Sequence, residues 1–211
     1  VASRGLGDVY KRQEVLHCIP LTKDMISGLT FSGEVESIPS FAVVTDRTLF
    51  YPEGGGQLGD QGRLLQDGNE YEVLDTKSQD GVIFHFTENP LAPGKVKGIL
   101  DWDRRKQLMD HHTAVHIVGG AARNILGPHI WQAGSNKGAR YARLDITHHS
   151  RLTRQEIEAI EDLANNIVES NPKLRQEFLE RSDADRNYGF EIYQGGPPKH
   201  NRIRVISIGD F

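Results

Sequence analysis

The chain has 211 residues, a net charge of −4, 37% hydrophobic and 26% charged residues. That length suits one large domain or two small ones, and the acidic balance carries no gross nucleic-acid signature. No apolar run approaches the roughly 20 residues of a membrane span. The single cysteine, Cys18, excludes an internal disulfide and a multi-cysteine zinc site and suits a cytoplasmic setting. Glycine stands at 22 residues, about 10% against a usual 7%, which points to tight turns and a β-rich portion. Basic residues cluster at Arg104-Arg105-Lys106, at Lys137, Arg140 and Arg143, and at Lys199, Arg202 and Arg204. Taken alone, such clusters read as solvated faces.

The chain opens on Val1, with no secretory signal, and Asp8-Val9-Tyr10-Lys11-Arg12-Gln13 reads like the translation of a sequencing adapter. Residues 1–13 are therefore set aside from the fold, and the natural portion is expected to start near Glu14, inside a longer gene. From Leu29 to Leu100 short strands alternate with turns. Phe41–Val44 and Thr48–Tyr51 flank a turn at Asp46-Arg47; Tyr71–Leu74 and Val82–Phe86 flank Ser78–Gly81; Lys95–Leu100 follows Pro93-Gly94. Spacings near ten residues predict a small barrel or sandwich, so residues 14–102 form a barrel-like β subdomain. Within it stands Tyr51-Pro52-Glu53-Gly54-Gly55-Gly56-Gln57-Leu58-Gly59-Asp60. Three successive glycines free the backbone for close approach to a ligand or another segment, although taken alone they read first as a structural turn, and neither a Walker loop nor Gly-x-Gly-x-x-Gly is present.

A helix is predicted from about Arg104 to Leu126, ended by Gly127-Pro128. Leu108, His112, Val115, Gly119, Ala122 and Leu126 recur on one stripe. His111-His112-Thr113-Ala114-Val115-His116 lies inside it, and His112 and His116 sit one turn apart with Cβ atoms about 6 Å from each other. Both rings can reach one Zn²⁺ at roughly 2.1 Å, or both can be core histidines bonded to carbonyls. A zinc-protease helix is disfavoured because Thr113 stands where His-Glu-x-x-His needs Glu.

Beyond it, Pro128–Ser135 leads to a strand at Arg143–Thr147. A second helix opens on the capping box Thr153-Arg154-Gln155-Glu156 and presents Ile157, Ile160, Ala164, Ile167 and Val168 before Asn171-Pro172. A strand over Leu174–Leu179, a short helical turn capped by Ser182 and ended by Gly189, and a strand over Ile203–Ile208 complete an α+β half, residues 103–211.

Together these residues resemble the editing domain of alanyl-tRNA synthetase in its archaeal form, and more distantly the free-standing editing proteins. The resemblance is carried by Tyr51–Gln57, His112–His116, Trp131-Gln132-Ala133-Gly134-Ser135, Arg143–Thr147, Tyr193-Gln194-Gly195-Gly196 and Ile208-Gly209-Asp210-Phe211, in that order. It implies a small β-barrel-like portion followed by an α/β two-layer editing domain, and hydrolysis of seryl-tRNA(Ala) mischarged in place of alanyl-tRNA. It also implies His112 and His116 as zinc ligands, Gln132 as the glutamine that faces the misacylated amino acid, and Gly54, Gly55, Gly56 and Gln57 as the substrate loop. Thr113 joins Gln132 as a catalytic-site candidate because both carry donors and acceptors suited to a serine hydroxyl. The family's remaining zinc ligands lie in a later Cys-Gly-Gly-Thr-His motif that this sequence does not contain, so the zinc set is incomplete here. ATP would enter only through an aminoacylation domain outside this sequence. The expected partner is the tRNA(Ala) acceptor end, met by the basic clusters, with no membrane; the parent's oligomeric state stays open. Two alternatives remain: a free-standing editing hydrolase and a non-catalytic zinc-stabilised RNA-binding module.

Overall fold

The structure, a computed structural model, describes residues 10–31, 37–193, 196 and 200–209. The fold is α+β, and the chain forms two compact units: Val1–His112 with Asn136–Ala142, and Thr113–Ser135 with Arg143–Phe211.

The first unit contains β1 (Tyr10–Pro20), α1 (Lys23–Ser27), β2 (Phe41–Thr45), β3 (Gly62–Gln66), β4 (Asn69–Val73), β5 (Asp75–Gln79), β6 (Val82–Thr87), β7 (Gly94–Leu100) and the beginning of α2 (Trp102–Leu126). The strands make one seven-stranded sheet in the order β4-β3-β7-β1-β2-β6-β5, and the pairings are antiparallel. Its two edge strands, β4 and β5, are separated in sequence by Leu74 alone. A one-residue link between opposite edges forces the sheet to curl towards a barrel, and Leu74 N–H donates to Phe86 O of β6 at 2.8 Å. The hairpins β3–β4 and β5–β6 turn on Asp67-Gly68 and Asp80-Gly81, with φ of 50° and 83°, and 50° and 81°. Positive φ at both central positions is the type I′ geometry that matches strand twist. Val15, Val43, Phe50, Leu64, Val73, Leu91, Val96 and Leu100 fill the core.

This unit departs from two expectations of the sequence. Residues 1–9 lie outside the described residues, but Tyr10–Gln13 are the first residues of β1 and pair with Ile99–Val96 of β7. The expected strand at Thr48–Tyr51 is not a strand. Its backbone groups go mostly to side chains instead of a ladder: Phe50 N–H donates to Thr48 Oγ1 at 3.0 Å, Tyr51 N–H to the Asp60 carboxylate, and Leu49 O accepts from Arg105 Nη2 at 3.0 Å, while Tyr51 O accepts from the Asp60 N–H at 2.9 Å.

The second unit holds the rest of α2 and most of the residues of β8 (Gln132–Lys137) and β9 (Ala142–Ile146). It continues through α3 (Arg154–Glu169), β10 (Leu174–Glu180), α4 (Arg181–Tyr188), a 3-10 turn at Phe190–Ile192 and β11 (Arg202–Ile208). β8 and β9 form one two-stranded sheet, β10 and β11 another. Ile117, Ala121 and Ala122 of α2 pack with Ile130 and with Ile160, Ala164 and Ile167 of α3. Ala184, Ile203 and Val205 make a smaller cluster. The capping box is formed as the sequence requires: Glu156 N–H donates to Thr153 Oγ1 and Thr153 N–H to Glu156 Oε2. Ile157 and Val168, expected on the buried face, are 49% and 55% exposed; one lies in the first turn and the other 100° around from Ile167. Ser182 is the second residue of α4 rather than its cap, while Gly189 ends that helix. The motif residues Gln194, Gly195, Asp210 and Phe211 lie outside the described residues. No helix among the described residues is long and apolar enough to cross a membrane.

Gln13 is 4% exposed, and its side-chain oxygen and nitrogen have no hydrogen-bond partner among the described residues. Burying a polar amide unpaired costs about 1–3 kcal/mol. Gln13→Leu is therefore expected to stabilise the barrel by about 1 kcal/mol, read as a rise in the urea midpoint with unchanged m-value.

His85 of β6 is fully buried, donates from Nδ1 to Val43 O at 3.0 Å and accepts from Thr48 Oγ1 at Nε2, 2.8 Å away. Desolvation lowers its pKa from 6.5 to about 4, against the opposing pull of the Val43 carbonyl. The unfolded chain therefore binds a proton more readily than the folded one. Stability is fully present above pH 6.5 and falls as pH drops towards 4, by about 2 kcal/mol at pH 5. Urea unfolding at neutral pH and at pH 5 checks this, with His85→Gln expected to flatten the dependence.

Candidate functional site

The glycine-rich segment is a tight, cross-braced turn. Gly54 N–H donates to Gln57 O and Gln57 N–H to Gly54 O, each at 3.0 Å, and the two residues between, Gly55 and Gly56, have φ of 60° and 75°. A Cβ is strained at both positions, which is the local reason for consecutive glycines. Tyr51 Oη–H donates to Gly54 O at 3.1 Å, and Glu53 N–H to Thr76 O at 2.8 Å. Lys137 braces the turn from β8: its Nζ donates to Gly55 O and its backbone N–H to Gly56 O, both at 2.7 Å, in a parallel bridge with Gln57.

Downstream, the segment is clamped to the first turn of α2. Asp60 is buried and paired with Arg105, whose Nε lies 2.8 Å from Oδ1, while Arg104 Nη1 donates to Gly59 O at 2.8 Å. The Arg104-Arg105-Lys106 cluster is thus largely engaged within the chain: the two half-buried arginines hold the segment, and the exposed Lys106 pairs with Asp110 one turn on. Lys137 likewise leaves the expected phosphate-facing cluster, because it is 1% exposed and desolvation lowers its pKa.

His112 of α2 meets this turn. Its Nδ1–H donates to Gln57 Oε1 at 2.9 Å, and a Cβ built on Gly55 would stand 4.0 Å from its Cε1. Donation from Nδ1 fixes the tautomer that carries its lone pair on Nε2, the arrangement by which a neighbouring group orients a metal-ligating imidazole. His111 beside it is committed otherwise: Nδ1–H donates to Gly138 O at 2.6 Å and Nε2 accepts from Gln107 Nε2 at 2.9 Å. His116 follows His112 by one helical turn, and it and Thr113 are half-buried. Gln132 begins β8, half-buried, with Nε2 donating to Ser135 Oγ at 3.2 Å. Next to it the Arg123 guanidinium lies 4.7 Å over the Trp131 ring.

The structure thus brings together Gly54, Gly55, Gly56, Gln57 and His112 in the first unit, with Lys137 as the member the sequence did not single out. A lysine that caps a carbonyl 82 residues earlier leaves no local sequence signal. Thr113, His116 and Gln132 belong to the second unit.

The family described as tRNA synthetases class II (A) matches residues 9–104. The chain is 44% identical to the alanine–tRNA ligase of Haloquadratum walsbyi over 96% of its own length and 23% of that protein. It is 49% identical to that of Natronomonas pharaonis over 81% of this chain and 18% of the relative, and 45% identical to that of Metallosphaera sedula over 86% and 20%. Over most of its own length the chain is similar to alanine–tRNA ligases. It spans about a fifth of the length of these ligases, and the matches run through the glycine-rich turn, α2 and β8.

Gln57→Leu tests the link between turn and helix. The change leaves the His112 N–H without its acceptor, so stability should fall by about 1–3 kcal/mol and the ring should lose its single tautomer. Gln57→Glu, which retains an acceptor, should keep the tautomer. Nitrogen-15 chemical shifts of the ring read both outcomes.

Proposed function

We propose that this chain carries the proofreading part of an alanine–tRNA ligase and hydrolyses the ester of serine wrongly attached to tRNA(Ala), with zinc held by His112 and His116. The observation that carries this reading is the Gln57–His112 hydrogen bond at 2.9 Å: it presets one imidazole for ligation at the head of an i, i+4 histidine pair. The donor set fits a zinc ion in kind, two neutral imidazoles, and a tetrahedral site needs two further ligands. When bound, zinc would hold the aminoacyl end or lower the pKa of a water towards about 7.

The chain's own groups supply the remainder. The Gly55-Gly56 turn, lacking side chains, lets a sugar–phosphate or aminoacyl end approach the backbone, and Lys137 keeps that turn in place by capping Gly55 O. Gln57 positions His112. Gln132 and Thr113 carry donors and acceptors suited to a serine hydroxyl. A site built to bond a hydroxyl rejects an analogue lacking it by about 10⁴–10⁵, because its polar groups are otherwise left unpaired; alanine is that analogue. The acceptor end of tRNA is the expected partner, and a cytoplasmic location follows from this role.

Gln132→Leu is the decisive variant. In a chain extended through the family's Cys-Gly-Gly-Thr-His motif and loaded with zinc, single-turnover deacylation of seryl-tRNA should fall by about 10- to 100-fold, at 1.4 kcal/mol per decade. Hydrolysis of alanyl-tRNA should change less. An equal drop on both substrates would remove the recognition role of Gln132, and absence of seryl-tRNA deacylation in the unsubstituted chain would leave an RNA-binding module instead.

A further inference from the structure

The second unit gathers three histidines away from the α2 pair in sequence: His129, in the connection after α2, and His148 and His149, in the connection between β9 and α3. One ring nitrogen from each lies within 4.8 Å of the other two. His129 Nε2 and His148 Nδ1 are 2.9 Å apart in a shared hydrogen bond. The His129 and His148 rings stack at 25° with centroids 5.1 Å apart, and His149 lies 4.4 Å from His148 and 5.7 Å from His129.

The backbone under this cluster is stitched in place. Thr147 Oγ1–H donates to His129 O at 2.8 Å, Trp131 N–H donates to Thr147 Oγ1 at 2.8 Å, and Thr147 N–H donates to Trp131 O at 2.9 Å. These three bonds tie the segment bearing His129 to the segment bearing His148 and His149. The Glu156 carboxylate, fixed in the α3 capping box, is close enough to interact electrostatically with both His148 and His149, and its negative charge favours a cation there. His129 and His149 are exposed and His148 half-buried, so the rings adjust at little packing cost.

We propose that His129, His148 and His149 form a metal site that takes a divalent transition ion of the zinc, nickel and copper class. Three imidazole nitrogens and no carboxylate select this borderline class over magnesium or calcium. Ring nitrogens about 2.1 Å from zinc stand about 3.4 Å from one another, so closure from 4.8 Å needs side-chain shifts of about 1 Å. On binding, the ion replaces the His129–His148 hydrogen bond, and the donor ring of that pair takes its other tautomer, with no net loss of a proton. The fourth position faces solvent and is filled by water. This site is independent of the reading of His112 and His116, which has two ligands here against three.

Calorimetric titration of Zn²⁺ and Ni²⁺ into the 211-residue chain near neutral pH tests the assignment. The tightest equivalent should survive His112→Ala/His116→Ala unchanged. It should weaken by about 10-fold in His149→Ala and by about 100-fold in His129→Ala/His149→Ala. Both substituted side chains are exposed, and unchanged circular dichroism establishes that these variants fold. Nitrogen-15 ring shifts upon Zn²⁺ addition should move for His129, His148 and His149. Loss of the tight equivalent in the α2 variant, its retention in the His129/His149 variant, or no stoichiometric uptake by the unsubstituted chain would each overturn the proposal.

Discussion

The buried pair between Asp60 and Arg105 is the constraint on which the first unit depends. Asp60 accepts from the Tyr51 N–H and from Arg105, while Arg105 reaches on to Leu49 O and Arg104 holds Gly59 O. Both flanks of the glycine-rich turn are thereby fixed to the first turns of α2. A buried charge pair contributes little net stability over a well-packed apolar one, but leaving either charge alone is costly, so the pair acts chiefly as a register pin. Its consequence appears two helical turns later. His112 is seven residues beyond Arg105 and so returns to nearly the same face, which delivers its ring to Gln57.

This arrangement gives the glycine run a physical cause. Gly55 and Gly56 occupy positive φ because Gly54 and Gln57 exchange backbone hydrogen bonds across them. That closure turns the Gln57 amide towards α2 and the Gly55 carbonyl towards Lys137. Loop, helix and lysine interlock, each satisfying polar groups that the others bury.

Much of the architecture was legible because its signals are local. The capping box at Thr153, the Gly127-Pro128 stop after α2 and the strands β2, β4, β6, β7, β9, β10 and β11 all follow from periodicity and turn chemistry. Strands β1, β3, β5 and β8 escape such signals: Tyr10–Gln13 read like an adapter, and Gly62–Gln66, Asp75–Gln79 and Gln132–Lys137 mix polar residues and glycine with few β-branched ones. Thr48–Tyr51 looked like a strand by composition, yet its hydrogen bonds go to side chains of Asp60, Thr48 and Arg105. At the site, His112, Gln57 and the glycines were visible as motif residues. Which nitrogen His112 donates, the burial of Lys137 and the inward use of Arg104 and Arg105 depend on partners 45 to 82 residues away, and charge clusters in a sequence do not reveal which cations are internal. The His129, His148 and His149 cluster was equally hidden, because 19 residues separate the two rings that share a hydrogen bond.

The near-closure of the β sheet has a bearing on how the chain acquires its structure. β1 sits in the middle of the sheet, yet its neighbours are β2 and β7, and Tyr10 pairs with Ile99. Bringing such distant segments together costs loop-closure entropy before any contact rewards it. The sheet therefore has high contact order and belongs with slowly folding β topologies. During synthesis, β1 and β2 must wait for β7 before the sheet's interior is covered, so in that interval the apolar side chains of Val15 and Val43 depend on transient contacts or on assisting proteins.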